Sequence, residues 1–195
     1  MSGQGRHSAE QAAGQGEDAS AVAAALAGRQ SGFDTLMKLH REAVFRFVYG
    51  LTGAESDALD ITQESFVAAF LALNRYDRSR PFRAWILRIA RNKCHDWARR
   101  RKVRRFFSFA VPIDDAVHIA DPQENPEEAL SSRLGVERIH EAIARLPDSL
   151  KEPLLLCSLE DMSQDEAAQV LGISRKAVET RIYRARQKLS QMLEG

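Results

Sequence analysis

Apolar residues recur at helical intervals along most of the chain. Phe33, Leu36, Met37, Val44, Phe45, Val48 and Leu51 fall mostly three or four residues apart and form one stripe of a helix, with Gly50 and Gly53 as its expected stop. A second helix is predicted over "SDALDITQESFVAAFLAL", with Ser56 as N-cap and Asp57 near the positive helix end. A third begins near Pro81. Its apolar side runs through Phe82, Trp85, Ile86, Ile89, Ala90 and Trp97, while Arg83, Arg91 and Arg99 lie elsewhere on the circumference. No stretch alternates with period two for long enough to suggest a sheet, so the fold class is all-α.

The same reading applied to the last sixty residues gives a helix-turn-helix. Ser163 and Glu166 make an S-x-x-E capping box that starts a short helix, "QDEAAQVLG", which ends at Gly172 in a position suited to left-handed backbone. Ile173 then packs inward and Ser174 caps the next helix. Val178, Ile182, Ala185 and Leu189 form the buried stripe of that helix. Lys176, Thr180, Tyr183, Arg184 and Gln187 face the other way, flanked by Arg175, Glu179 and Arg181. These residue types bond phosphates and base edges, and the N-terminal part of such a helix is where major-groove contacts are made. Glu179 either accepts from a cytosine N4 or pairs with Arg175 four residues earlier; the intramolecular pair is favoured because an isolated acid near phosphates is repelled.

Charge changes the picture more than composition does. The 195 residues carry a formal charge of only +1, with 44% hydrophobic and 28% charged residues, values ordinary for a globular protein. That near-neutrality hides three blocks. Positions 88, 91, 93, 99, 100, 101, 102, 104 and 105 are Lys or Arg, with Asp96 the one acid among them. Positions 114, 115, 121, 124, 127 and 128 are acidic in a stretch, Phe106 to Leu130, that has no Lys or Arg and contains Pro112, Pro122 and Pro126. The C-terminal helix is basic again. Prolines without helical periodicity read as extended chain. The chain therefore divides into a mobile tail (1–28), a helical domain (29–105), an acidic flexible linker (106–130) and a second helical domain (131–195). No apolar run approaches the roughly 20 residues that span a bilayer, and no signal core is present, so a cytoplasmic protein without direct membrane contact is expected. Cys94 and Cys157 share no CxxC spacing and read as reduced, buried thiols; no metal site and no cofactor are expected.

Two further features invite a function. Asp57, Asp60 and Glu64 stand at i, i+3 and i+7, with Gln63 beside them, and so share a helix face. That face reads as a metal-binding carboxylate cluster, a solvated surface, or a polar docking stripe. The segment "NRYDRSRPF" mixes cations with Tyr76, Phe82 and Trp85 ahead of the basic helix. Cations track phosphates and aromatic rings stack on unpaired bases, a mixture suited to single-stranded nucleic acid.

Taken in order, "DALDITQESFVAAFLAL", "YDRSRPFRAWILRIARNKCHDWARRR" and the helix-turn-helix resemble the core-binding helix, the −10 segment and the −35 reader of bacterial RNA polymerase sigma factors of the extracytoplasmic-function type. The resemblance covers about 30–105 and 131–190. It implies a protein with no active site of its own that directs core RNA polymerase to promoters. Asp57, Asp60, Gln63 and Glu64 would dock on the clamp of the largest subunit, and the polymerase flap would be a further contact. Asn74, Arg75, Tyr76, Asp77, Arg78 and Arg80 would hold a flipped −10 base, and Arg88, Arg91, Asn92 and Lys93 the melted strand. Ser174, Arg175, Lys176, Glu179, Thr180, Arg181, Tyr183 and Arg184 would lie at the −35 duplex. The acidic linker would thread the polymerase's positively lined channel, and an anti-sigma factor would hold the protein inactive. Many relatives carry Arg or Lys where Glu179 stands, so no −35 sequence is assigned. Two other readings remain: a helix-turn-helix repressor or activator that binds operator DNA unaided, and a metal-dependent nucleic-acid enzyme built on Asp57, Asp60 and Glu64.

Overall fold

The structure, a computed structural model, describes residues 16–107 and 138–194, with side chains through 104 in the first segment. Every regular element among them is helical: α1 (16–26), α2 (Gln30–Thr52), α3 (Glu55–Ala72), a 3₁₀ turn (Leu73–Arg75), α4 (Phe82–Phe107), α5 (138–144), α6 (Asp148–Ser158), α7 (Gln164–Leu171) and α8 (Arg175–Glu194). The all-α expectation holds. The proposed linker from 108 onward and residues 1–15 of the tail lie outside the described residues.

Helices α2, α3 and α4 pack mutually to make the first domain. Its centre is Leu36, Val44, Phe47, Val48, Ile61, Phe66, Phe82, Ile86, Leu87 and Ala90, all nearly sealed from water. Each such side chain, fully buried, contributes about 1.5–3 kcal/mol, so this cluster dominates what holds the three helices together. The second domain places α6, α7 and α8 around Leu154, Leu156, Val170, Val178, Ile182 and Ala185.

Three local expectations need correction. Residues 16–26, assigned to the tail, form a helix, because Ala21 and Val22 bury against the first domain. The helix also sits on Gly32, where a Cβ would come within 2.4 Å of the Ala25 nitrogen. Gly53 does end α2, with φ 71° and its N–H bonded to the Tyr49 carbonyl, but Gly50 lies inside the helix. Its bare backbone receives Leu155 of the other domain; a Cβ there would stand 2.8 Å from Leu155 Cδ1. Finally, α3 begins at Glu55 after Ala54, without a side-chain cap, so Ser56 is the second helical residue rather than the cap. Glu55 and Asp57 still place negative charge in the first turn, where the helix dipole favours it.

The two domains abut. Helix α6 packs on α2, and α7 on α4, so that one apolar cluster is continuous through both. This packing decides the surroundings of several charged side chains described next.

Candidate nucleic-acid interface

The basic segment ahead of α4 is built on an aromatic wedge. Phe82, nearly inaccessible, lies 5.5 Å from both Tyr76 and Trp85, and Tyr76 lies 5.0 Å from Trp85. The Tyr76 hydroxyl donates to the Arg80 carbonyl. Asp77 closes the loop as an Asx turn, accepting from the Ser79 N–H at 3.0 Å and the Ser79 hydroxyl at 2.6 Å. Those two bonds hold the exposed Asp77 carboxyl below its usual range, with Arg80 adding to the effect. Burial pushes the Tyr76 phenol up to about 12, aided by the negative charges of Asp18 and Asp77. Beneath the wedge, the His40 ring lies tilted at 5.2 Å from Phe82 and bonds Asp18 of α1 at 2.6 Å, a buried pair that ties α1 to this region.

A cleft of about 200 Å³ opens here, lined by Arg75, Tyr76, Asp77, Arg80, Ala84, Trp85 and Arg88, with Gln169 of α7 at its far wall. Of the candidate residues in this segment, Asn74, Arg75, Asp77, Arg78, Arg80, Arg88 and Asn92 are exposed and Tyr76 is half-buried. Two others are placed differently. Lys93 turns towards α3 and pairs with Glu64 at 3.2 Å. Arg91 turns towards the second domain and pairs with Glu152 at 2.9 Å.

On α3 the carboxylates do not converge. Asp57 accepts the Trp97 indole N–H at 2.9 Å and so belongs to the α3–α4 contact. Among the described residues no group of three His, Cys, Asp or Glu side chains could hold a metal ion. Asp60, Gln63 and Glu64 remain exposed and share a shallow groove with Val67, Ala68, Leu71 and Lys93. Leu71 is 75% exposed and Val67 53%. The sequence reading took the polar half of this face and missed the apolar half, although Val67 and Leu71 continue the Asp60–Glu64 row at helical spacing.

The helix-turn-helix follows its sequence closely. The Ser163 and Glu166 capping box is formed, with the Ser163 hydroxyl accepting the Glu166 N–H at 3.2 Å and Glu166 accepting the Ser163 N–H at 2.9 Å. Gly172 stands at φ 68°. The Ser174 hydroxyl accepts from the Ala177 N–H at 3.2 Å, which caps α8. Val178, Ile182 and Ala185 are buried, and Leu189 packs partly against the core. Lys176, Glu179, Tyr183 and Arg184 are exposed, Tyr183 to 63%. The expected Glu179–Arg175 pair is not formed: Glu179 takes Lys176 at 2.9 Å, and Arg175 takes Asp165 of α7 at 3.4 Å. A lysine three residues back reaches the carboxylate, and the first turn of α8 brings Arg175 over the start of α7 instead. The Thr180 hydroxyl bonds the Lys176 carbonyl, and Tyr183 accepts from Gln187. Arg181 lines a separate cleft between the domains.

The seam between the domains holds two buried carboxylates that the sequence reading did not find, Glu152 at that cleft and Glu160 elsewhere. Glu152, 2% exposed, receives Arg91 and the His95 ring. Glu160, 1% exposed, receives Arg46 through two bonds of 3.0 and 3.1 Å and Arg83 at 2.8 Å. Arg83 also donates to the Glu160 carbonyl at 2.7 Å. The only sequence hint is an acid at either end of the apolar run from Pro153 to Leu159. Cys94 is buried and Cys157 half-buried, both free, and burial pushes the Cys94 thiol up to about 12, so it is inert at neutral pH.

The Sigma-70 region 2 family matches residues 36–104 and the Sigma-70 region 4 family matches 136–189. The RNA polymerase sigma factor CnrH of Cupriavidus metallidurans is 40% identical over 92% of this chain and 96% of its own length. The ECF RNA polymerase sigma factor SigE of Mycolicibacterium smegmatis is 36% identical over 83% of this chain and 61% of its own. Among solved structures, CnrH in complex with the cytosolic domain of CnrY superposes with a TM-score of 0.69 at 35% identity, covering 91% of this chain and 97% of that one.

Proposed function

The chain belongs to the RNA polymerase sigma factors of the extracytoplasmic-function class, which serve transcription initiation by joining core polymerase to promoter DNA, and on that premise we propose which surfaces do each part of the work. The α3 groove of Asp60, Gln63, Glu64, Val67 and Leu71 docks on the clamp of the largest polymerase subunit, while the second domain meets the flap. Asp57 supports this face from behind through Trp97. The aromatic-walled cleft captures an unpaired −10 base, and Arg88, Asn92 and Arg91 hold the melted strand. Lys176, Thr180, Tyr183 and Arg184 enter the −35 groove, with Arg175 and Arg181 nearer the backbone and Ser174 at the helix N-terminus. No step is catalysed by the chain itself. Each DNA contact is weak alone, and tethering both to one polymerase multiplies them. The protein acts in the bacterial cytoplasm under an anti-sigma factor, a reading supported by CnrH having been solved with CnrY.

The observation that carries the polymerase assignment is the α3 face, where three exposed polar residues adjoin large apolar side chains left open to water. It is tested by co-elution of the protein with core bacterial RNA polymerase, wild type beside an Asp60→Ala, Glu64→Ala variant. Binding by the wild type that the variant loses is expected. Equal binding by both moves the docking face elsewhere, and no wild-type binding at low salt removes the polymerase reading altogether.

A further inference from the structure

We propose that Asp18 of α1 and His40 of α2 are positioning residues for the −10 cleft, holding its aromatic wall in the geometry that captures an unpaired base. This role rests on the −10 assignment given above. Helix α1 already has an apolar attachment to the first domain. Ala21 and Val22 are buried, and Gly32, which lacks a Cβ, lets the α1 backbone come close. Attachment therefore does not require a polar pair, yet one is present: Asp18 and His40 are each 8% exposed, and the carboxylate meets His40 Nε2 at 2.6 Å. A buried pair of this kind is often no more stabilising than apolar residues of similar volume. What it adds is direction, because a hydrogen bond fixes the setting of the ring.

That ring lies against the wedge. His40 is 5.2 Å from Phe82 and inclined to it by 41°, and Phe82 in turn is 5.5 Å from both Tyr76 and Trp85. Tyr76 and Trp85 are walls of the cleft. A short chain of contacts thus leads from a carboxylate on α1 to the surface on which a base would stack. Asp18 also reaches the loop by a second route. Burial, and after it the negative charge of Asp18, raises the Tyr76 phenol to about 12. The phenol stays protonated and donates to the Arg80 carbonyl, which draws the loop between them together. Neither Asp18 nor His40 lines the cleft, so both act through the wedge and not on the DNA. Capture of an extruded base demands side chains held to about 0.5 Å, and such precision comes from the residues that support them.

The test uses the full-length protein joined to core bacterial RNA polymerase, and a forked duplex whose single-stranded arm wild-type holoenzyme has selected from random sequence. The readout is the preference for that arm over a scrambled arm of the same composition. The upstream duplex of the same DNA, without an arm, reports −35 binding, and circular dichroism verifies that each variant is folded. Asp18→Ala and His40→Ala are each expected to lose at least about tenfold in preference, with binding of the upstream duplex unchanged. Asp18→Asn still bonds the ring and is expected to keep most of the preference. Asp18→Leu with His40→Leu separates positioning from packing: the unfolding midpoint in denaturant is expected to match wild type while the preference is lost. A wild-type preference in that apolar variant overturns the positioning role, since the pair would then only fill space. A fall in upstream-duplex binding that matches the fall in preference overturns it as well, because the damage would be general. A wild type with no preference for any arm removes the −10 assignment and this role with it. A preference that every variant keeps removes this role alone.

Discussion

Helices α4 and α8 are both basic, yet their cations are held in opposite ways. In α4, Arg83 and Arg91 reach across a domain boundary to Glu160 and Glu152, carboxylates sealed from water. In α8, Arg175 and Lys176 reach Asp165 and Glu179, which lie in the open. Exposed pairs of the second kind contribute about 0–1 kcal/mol and let go readily. For a buried pair, removing one partner costs about 3–5 kcal/mol because a charge is stranded. The cations of α8 are thus free to leave their partners, whereas part of α4 is engaged by its own chain. Charge count alone would have made the two helices equivalents.

The sharpest way to break this contrast is to strand a glutamate. Arg46→Ala with Arg83→Ala leaves Glu160 without a cation, and a loss approaching about 3–5 kcal/mol is expected, limited by the cost of parting the domains. Hydrogen exchange should then show loss of protection concentrated where α6 meets α2 and α7 meets α4. A loss confined to the measurement error of denaturant unfolding would mean that the Glu160 pairs are no tighter than a surface pair.

The opposite signature belongs to α8. Arg184→Ala should weaken holoenzyme binding to −35 duplex DNA by about 1–3 kcal/mol while leaving the unfolding midpoint unchanged. A matching loss of stability would show that Arg184 packs rather than reads. A smaller effect is expected from Ser163→Ala, which removes the capping box of α7 and costs about 1 kcal/mol; denaturant unfolding of the variant measures it directly. Smallest is Lys176→Ala, where loss of the exposed pair with Glu179 should shift stability by less than about 0.5 kcal/mol, measured in the same assay.

One pH effect sharpens the same comparison at the aromatic wedge. The Tyr76 phenol is raised from 10.0 to about 12 in the fold, chiefly by burial. Between those values the folded state keeps a proton that the unfolded chain has lost, so its contribution to stability is whole below pH 10 and declines as pH rises towards 12. Tyr76→Phe should flatten that part of the alkaline unfolding curve.

What could be read directly was whatever depends on neighbours a few residues away. The capping box of Ser163 and Glu166, the left-handed turns at Gly53 and Gly172, the cap at Ser174 and the stripe from Val178 to Ala185 all arise within one or two helical turns. Hence the all-α class, the helix-turn-helix and its outward face followed from periodicity and backbone chemistry. The decisions left to tertiary structure join residues far apart in sequence. Asp57 and Trp97 are 40 positions apart, Arg91 and Glu152 are 61, Arg83 and Glu160 are 77, and Arg46 and Glu160 are 114. Packing bonded Asp57 to Trp97, made Gly50 a seat for Leu155 inside the helix rather than its stop, and paired Lys93 with Glu64. The physical reason is range: a hydrogen-bonded turn is specified by side chains beside it, while the partner of a charge is whichever opposite charge the folded surface brings within about 4 Å.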